Sequence, residues 1–297
     1  MSVLEVFAEE VGTDGPVVAV GGRTQFDVGG PVEASAREVK APAGIVEHVA
    51  AEMTVRVRAG TTVAELDDAL GVHGQCVALP AWDGATIGGV LAVGHSGLRR
   101  LGWGPVRDAV LEVRYVSAEG RLVKGGGPTV KNVSGYDLPR LFVGSLGTLG
   151  VIAEVVLRTR PVAPREQWFT AEGVDPFALA RGLYRVASVL WDGTSTWVLL
   201  EGHPRDVDDQ ARIAGLRTID ASFLPPLPKH RWSLAPAALR GMRDDDNGPF
   251  VAEIGVGVAH RELPQPPRVV DPTIAALAAR VKNAFDPTGR LAPGRLR

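Results

Sequence analysis

Four glycine-rich elements, set in order between residues 21 and 150, constrain this 297-residue chain more than any other feature. The first is Gly21-Gly22-Arg23-Thr24-Gln25, directly after the apolar run Val17-Val18-Ala19-Val20. The second joins Ala85-Thr86-Ile87-Gly88-Gly89 to Gly94-His95-Ser96-Gly97. The third is Lys131-Asn132-Val133-Ser134-Gly135-Tyr136-Asp137-Leu138, and the fourth Gly144-Ser145-Leu146-Gly147-Thr148-Leu149-Gly150. Successive glycines let backbone amides converge as an anion nest, and Arg23 adds charge to the first element; a plain turn is its alternative reading. In the second, paired glycines admit a flat ligand, while Thr86 and Ser96 can hydrogen-bond phosphate or ring heteroatoms. The fourth spaces its glycines by three and three, so it is not the GxGxxG fingerprint, and no Walker loop occurs.

Around these elements the apolar pattern alternates between helix and strand. Val17–Val20 reads as a buried strand and Thr54–Arg58 as a half-buried one. Ile45, Val46 and Val49 have helical spacing. Thr62 and Glu65 make a capping box for a helix with Val63, Leu66 and Leu70 on its apolar stripe. Val110–Ser117 alternates, turns at Glu119-Gly120 and returns through Leu122 and Val123 as a hairpin; Val151–Arg160 is a further strand. Beyond Pro164, Phe177, Ala180, Leu183, Ala187 and Leu190 predict one amphipathic helix. Strands are expected at Thr196–Glu201 and Phe250–Val258, a helix at Asp206–Leu216, and a long loop from Phe223 to Pro249. A last helix opens at Asp271-Pro272 and runs through Ile274, Leu277, Val281 and Phe285.

Composition removes several function classes. A net charge of −2 is a poor match to a polyanion held by electrostatics, so no nucleic-acid partner is expected. A hydrophobic fraction of 45% can build a real core, which excludes intrinsic disorder. The single cysteine, Cys76, excludes an internal disulfide, an iron–sulfur cluster held by this chain alone and a cysteine-rich zinc site; no metal site is expected. No apolar run reaches membrane-spanning length, and Glu9 and Glu10 stand where a secretory leader would carry basic charge. The expectation is a cytoplasmic chain whose membrane association, if any, would run through partners.

Taken together, the glycine motifs resemble the FAD-binding domain of the vanillyl-alcohol oxidase and p-cresol methylhydroxylase flavoproteins. The stretches KNVSGYDLPRLFVGSLGTLGVI (131–152) and VKNAFDPTGRLAPGR (281–295) resemble the FAD-binding E subunits of bacterial glycolate oxidases more closely. The resemblance covers about residues 15–163 and the C-terminal helix, and is poor over 164–270. It implies an α+β fold: a two-lobed FAD-binding domain over 1–163 (lobes about 1–78 and 79–163), a small α+β cap over 164–270, and a C-terminal helix and tail over 271–297 returning to the FAD domain. It also implies which residues hold FAD. Val20, Gly21, Gly22, Arg23, Thr24 and Gln25 match the pyrophosphate loop. Pro80, Ala85, Thr86, Gly88 and Gly89 match the stretch along the pyrophosphate and isoalloxazine, and His95, Ser96 and Gly97 the next flavin contact. Gly147, Gly150, Val151 and Ile152 match the turn at the adenosine end. Covalent relatives often carry a histidine in the first loop; Arg23 and Thr24 stand there here, which implies noncovalent FAD.

The implied activity is that of an FAD subunit of a glycolate- or D-lactate-type 2-hydroxy-acid dehydrogenase, accepting a hydride or relaying electrons from a partner flavin subunit to an iron–sulfur subunit. Such chemistry needs a base at the alcohol and a cation for the carboxylate. His95 is either a flavin hydrogen-bonding group or that base, Tyr136 either faces the flavin or packs, and Arg107 either binds a carboxylate or pairs internally with Asp108. His203, His230 and His260 stand singly, with no histidine-rich metal and base motif. Three further readings remain: the FAD subunit of a molybdenum hydroxylase, a standalone FAD-dependent alcohol or sugar oxidase, and an assembly scaffold without catalysis.

Overall fold

A computed structural model describes residues 1–127, 137–267 and 269–295. The chain divides into two compact units, one formed by Met1–Gly97, Pro105–Val162 and Val270–Arg297, the other by Leu98–Gly104 and Ala163–Val269. Helices and strands mix in both, an α+β fold.

The first unit opens with helix α1 (Val3–Val11), which the sequence pattern had not marked although Ser2 and Glu5 cap it reciprocally. Strands β1 (Val17–Ala19) and β2 (Arg37–Val39) form a parallel pair. Strand β3 (Ile45–Val49) replaces the helix expected from Ile45, Val46 and Val49. Those β-branched residues suit a pleated surface, and the segment pairs antiparallel with β4 (Thr54–Arg58). Helix α2 (Val63–Gly71) starts at the Thr62–Glu65 capping box and buries Val63, Leu66 and Leu70. Next come β5 (Gln75–Val77) and helix α3 (Ile87–Val93), whose N-cap is Thr86. A short helix α4 (Arg100–Trp103) belongs to the second unit.

The chain then returns through β6 (Val110–Val116), β7 (Leu122–Gly126), helix α5 (Leu138–Phe142) and β8 (Val151–Pro161). Strand β8 is the spine of this unit. It pairs antiparallel with β4 and β6, and β5 pairs with its far end. Seven consecutive buried residues, Val151–Leu157, explain why: a strand covered on both faces reads as a nearly continuous apolar run. The one charge in that run, Glu154, is met by Arg56 at 3.2 Å, which also holds buried Glu112 at 2.6 Å.

The second unit is a seven-stranded sheet with strand order β12-β9-β11-β10-β14-β15-β13. Its elements are β9 (Arg165–Glu172), helix α6 (Pro176–Gly182), β10 (Val186–Trp191), β11 (Ser195–Gly202), helix α7 (Pro204–Ile213), β12 (Arg217–Ile219), β13 (His230–Ser233), β14 (Phe250–Glu253) and β15 (Val258–Arg261). Three expectations change here. The helix anticipated through Leu190 stops at Gly182; Arg185 takes a positive φ of 55°, and Ala187 and Leu190 become core residues of β10. The strand expected over 250–258 is a hairpin, because Gly255 and Gly257, both at φ 81°, turn the chain between β14 and β15. The loop expected over 223–249 contains β13 and a 3₁₀ helix, Pro236–Asp244. Helix α8 (Pro272–Phe285), capped by Asp271, belongs again to the first unit.

Candidate functional site

Two adjoining cavities of about 450 and 550 Å³, both open to solvent, run through the first unit. The inner one is lined by small and apolar residues, among them Ala19, Val20, Ala41, Ala59, Gly60, Gly150 and Ile152. The outer one is lined by Gly22–Phe26, Trp82, Val90, Val93, Leu146 and Arg295. Ala19, Gly21, Thr86, Gly89, Ala92 and Gly147 line both.

The loop after β1 is built for an anion. Val20 still donates to Val39 in the sheet at 2.9 Å, but the five amides from Gly21 to Gln25 donate to no other group among the described residues. Arg23 adopts φ 57°, the left-handed conformation that turns neighbouring amides to one side. Gly22 is required by space: a Cβ there would lie 1.8 Å from the Gly84 carbonyl oxygen. At Gly21 it would lie 2.2 Å from Thr86 Oγ1, which already accepts the Gly89 amide at 3.2 Å. Across the inner cavity, Gly150 has no room for a side chain beside Tyr115, whose ring carbon would stand 2.5 Å from a Cβ.

An FAD molecule fits these features. Its diphosphate matches five free amides, its adenine an apolar cavity, and its hydroxyls the buried Gln25 Oε1, which has no hydrogen-bond partner among the described residues. Buried polar atoms without partners are rare, and a ligand is one way they are satisfied.

The sequence-derived residues separate on this geometry. Val20, Gly21, Gly22, Arg23, Thr24, Gln25, Thr86, Gly88, Gly89, Gly147, Gly150 and Ile152 line the cavities together. The Arg23 guanidinium pairs with Glu38 and lies over the Phe26 ring, 4.8 Å from its centroid. Pro80, Ala85, Ser96, Gly97, Val151 and His95 are outside the lining. Ala85 is buried and its carbonyl accepts the Val63 amide at 2.9 Å, and Ser96 Oγ accepts the Val106 amide at 3.2 Å. Gly97 packs on Pro80, and His95 is half-buried, next to Gly94 at the end of α3. Arg107 is exposed on the 3₁₀ helix Val106–Ala109, and the partner of Asp108 is Arg140, at 2.8 Å. Tyr136 lies outside the described residues.

Sequence reasoning did not mark Ala19, Ala41, Ala59, Gly60, Ala92 or Arg295 for the site. The alanines and Gly60 carry no chemical signature, since only their smallness matters. Arg295 sits in the C-terminal stretch that carried the resemblance, 270 residues from the loop it meets. Among the described residues no group of three or more His, Cys, Asp or Glu is placed to hold a metal ion.

Comparison with known proteins agrees with the cleft. Residues 3–126 match the FAD binding domain family. The chain is 36% identical to glycolate oxidase subunit GlcE of Escherichia coli over 231 residues, which is 75% of this chain and 66% of that protein. It is 44% identical to the D-lactate dehydrogenase of Archaeoglobus fulgidus over 104 residues, 35% of this chain but 24% of the relative. The chain thus spans just under two thirds of the first relative and about a quarter of the second. Among solved structures, an alkyldihydroxyacetonephosphate synthase superposes with a TM-score of 0.69 over 98% of this chain and 73% of its own, at 13% identity, which speaks for the fold alone. With the cleft and these matches in hand, residues 3–126 carry an FAD binding domain of the matched family, and the cofactor of the chain is FAD.

Proposed function

We propose that the chain is the noncovalent FAD-binding subunit of a 2-hydroxy-acid dehydrogenase of the glycolate or D-lactate type. The observation that carries this reading is the run of five unpaired amides, Gly21–Gln25, at the mouth of a cleft floored by Thr86, Gly89 and Gly147. Those amides hold the diphosphate, and the Thr86 hydroxyl, accepting from Gly89, keeps its proton to donate. The Ala41, Ala59, Gly60 and Ile152 walls offer the adenine end small and apolar surface to pack against. FAD supplies the hydride or electron acceptor. The relatives named for glycolate and D-lactate supply the substrate class, a small 2-hydroxy acid. The loop presents Arg23 and Thr24, neither of them a nucleophile toward the flavin ring, which supports noncovalent attachment. In this reading the chain works with a partner flavoprotein, and an iron–sulfur cluster that takes its electrons sits in another protein, because one cysteine cannot ligate a cluster alone.

The test is anaerobic reduction. The FAD-loaded chain, alone and together with the proteins that co-purify with it from its source cells, is mixed with glycolate and with D-lactate. Bleaching of the flavin absorbance in either preparation supports the reading. Flavin that stays oxidised in both, while dithionite still reduces it, overturns it.

A further inference from the structure

Arg23, the cation that the sequence places in the phosphate loop, is occupied: its guanidinium pairs with Glu38. The outer cavity holds a second guanidinium from the other end of the chain. Arg295 lines the cavity beside Gly22–Phe26 and Trp82. One of its nitrogens donates to the Phe26 carbonyl at 2.8 Å, and the group lies 4.4 Å from the centroid of the Phe26 ring. Among the described residues its buried Nε has no hydrogen-bond partner and no carboxylate lies within ion-pair distance of the group. Burial disfavours its charge, and Asp27 offsets this only from a distance. A half-buried cation with no carboxylate partner among the described residues, beside five amides without acceptors, is suited to an anion.

The segment that carries Arg295 is fastened to the same loop. Ala292 donates to the Val17 carbonyl at 2.8 Å, Val17 donates to the Arg290 carbonyl at 2.9 Å, and Glu33 donates to the Pro293 carbonyl at 3.0 Å. Arg290 is buried and donates to the carbonyls of Val11, Gly12, Asp14, Gly15 and Ala118. The tail therefore meets β1 in an isolated parallel bridge, Leu291 to Val17, and delivers Arg295 to the cleft.

We propose that Arg295 is the cation that binds the FAD diphosphate, so that the dinucleotide is held jointly by the β1 loop and the C-terminal tail. This rests on the chain binding FAD. Binding is measured by titrating the full apo chain with FAD, with ADP (adenosine and diphosphate without flavin) and with riboflavin (flavin without diphosphate). Losing a charge-assisted contact to phosphate costs about 10- to 100-fold in affinity. Arg295→Gln is expected to weaken FAD and ADP by about that factor and to leave riboflavin unchanged, whereas Arg212→Gln, which removes an exposed cation of α7 in the second unit, changes all three by about twofold or less. Arg295→Lys, which keeps the charge but not the fork, is expected to fall between. Thermal unfolding of each apo variant reports whether the tail stays docked. Wild-type FAD binding with an Arg295→Gln affinity within about twofold of wild type overturns the proposal. So does a loss shared by riboflavin and absent from ADP, which would place the cation at the flavin ring. Failure of the wild type itself to bind FAD would instead count against the cofactor.

Discussion

At Gly22 the backbone passes so close to Gly84 that a methyl group has nowhere to go, because the obstructing atom is a carbonyl oxygen rather than the end of a flexible side chain. Gly22→Ala must therefore shift the loop or the Trp82–Ala85 turn, and the amide cradle with it. The expected result is a loss of FAD affinity of at least about tenfold with a modest drop in melting temperature, read from a flavin titration and a thermal melt of the same preparation. Gly84→Ala is a poor control, since that residue itself sits at φ 69°; Gly71→Ala, with open space around its Cβ and an ordinary φ in α2, is a better one. At this scale the sequence showed the glycines but not their individual reasons. Gly22 is a matter of close approach to another loop and Gly150 of contact with an aromatic ring, and neither neighbour is adjacent in the chain. The same distance hid Arg295, whose meaning depends on Arg23 being taken by Glu38.

Elements that depend on neighbouring residues were legible, and those that depend on distant partners were not. The Thr62–Glu65 capping box is local, and it starts α2 as its spacing requires, with Thr62 N donating to Glu65 at 2.8 Å and Glu65 N to Thr62 at 3.2 Å. Thr62→Ala is expected to cost about 1 kcal/mol in a denaturant titration. Ile45–Val49 has a spacing compatible with a helix, and only pairing with β4 settles it as a strand. Phe177–Leu190 keeps helical periodicity past Gly182, yet Ala187 and Leu190 are wanted by the sheet. The tail after α8 is held by Asp286, which accepts from Lys282, from the Arg290 amide at 3.1 Å and from the Leu291 amide at 2.8 Å. Burial alone would raise this carboxyl, but those donors win and hold it below the ordinary aspartate value. A folded value below the unfolded one means that the contribution is complete above the unfolded value, about pH 4, and is lost as the pH falls through the lower folded one. Asp286→Ala is expected to destabilise the protein by about 3 kcal/mol at neutral pH. The deficit should shrink in acid, which melts between pH 7 and 2 would reveal.

Across the whole molecule, each of the two units has its own apolar core, and the cleft belongs to the first. The cofactor site draws on residues from Ala19 to Arg295, so it forms only when both ends of the chain are in place. FAD should accordingly stabilise the folded chain by mass action, by about 2.7 kcal/mol when free FAD is a hundredfold above its dissociation constant. Among the described residues no helix is long and apolar enough to cross a membrane. The central claim is that this cleft holds one FAD without a covalent bond, and the most direct measurement is an FAD titration of the purified apo chain followed by acid precipitation. The expected result is saturable binding at one FAD per chain, with all of the flavin released to the supernatant. No saturable binding, or flavin that stays with the precipitated protein, would contradict it.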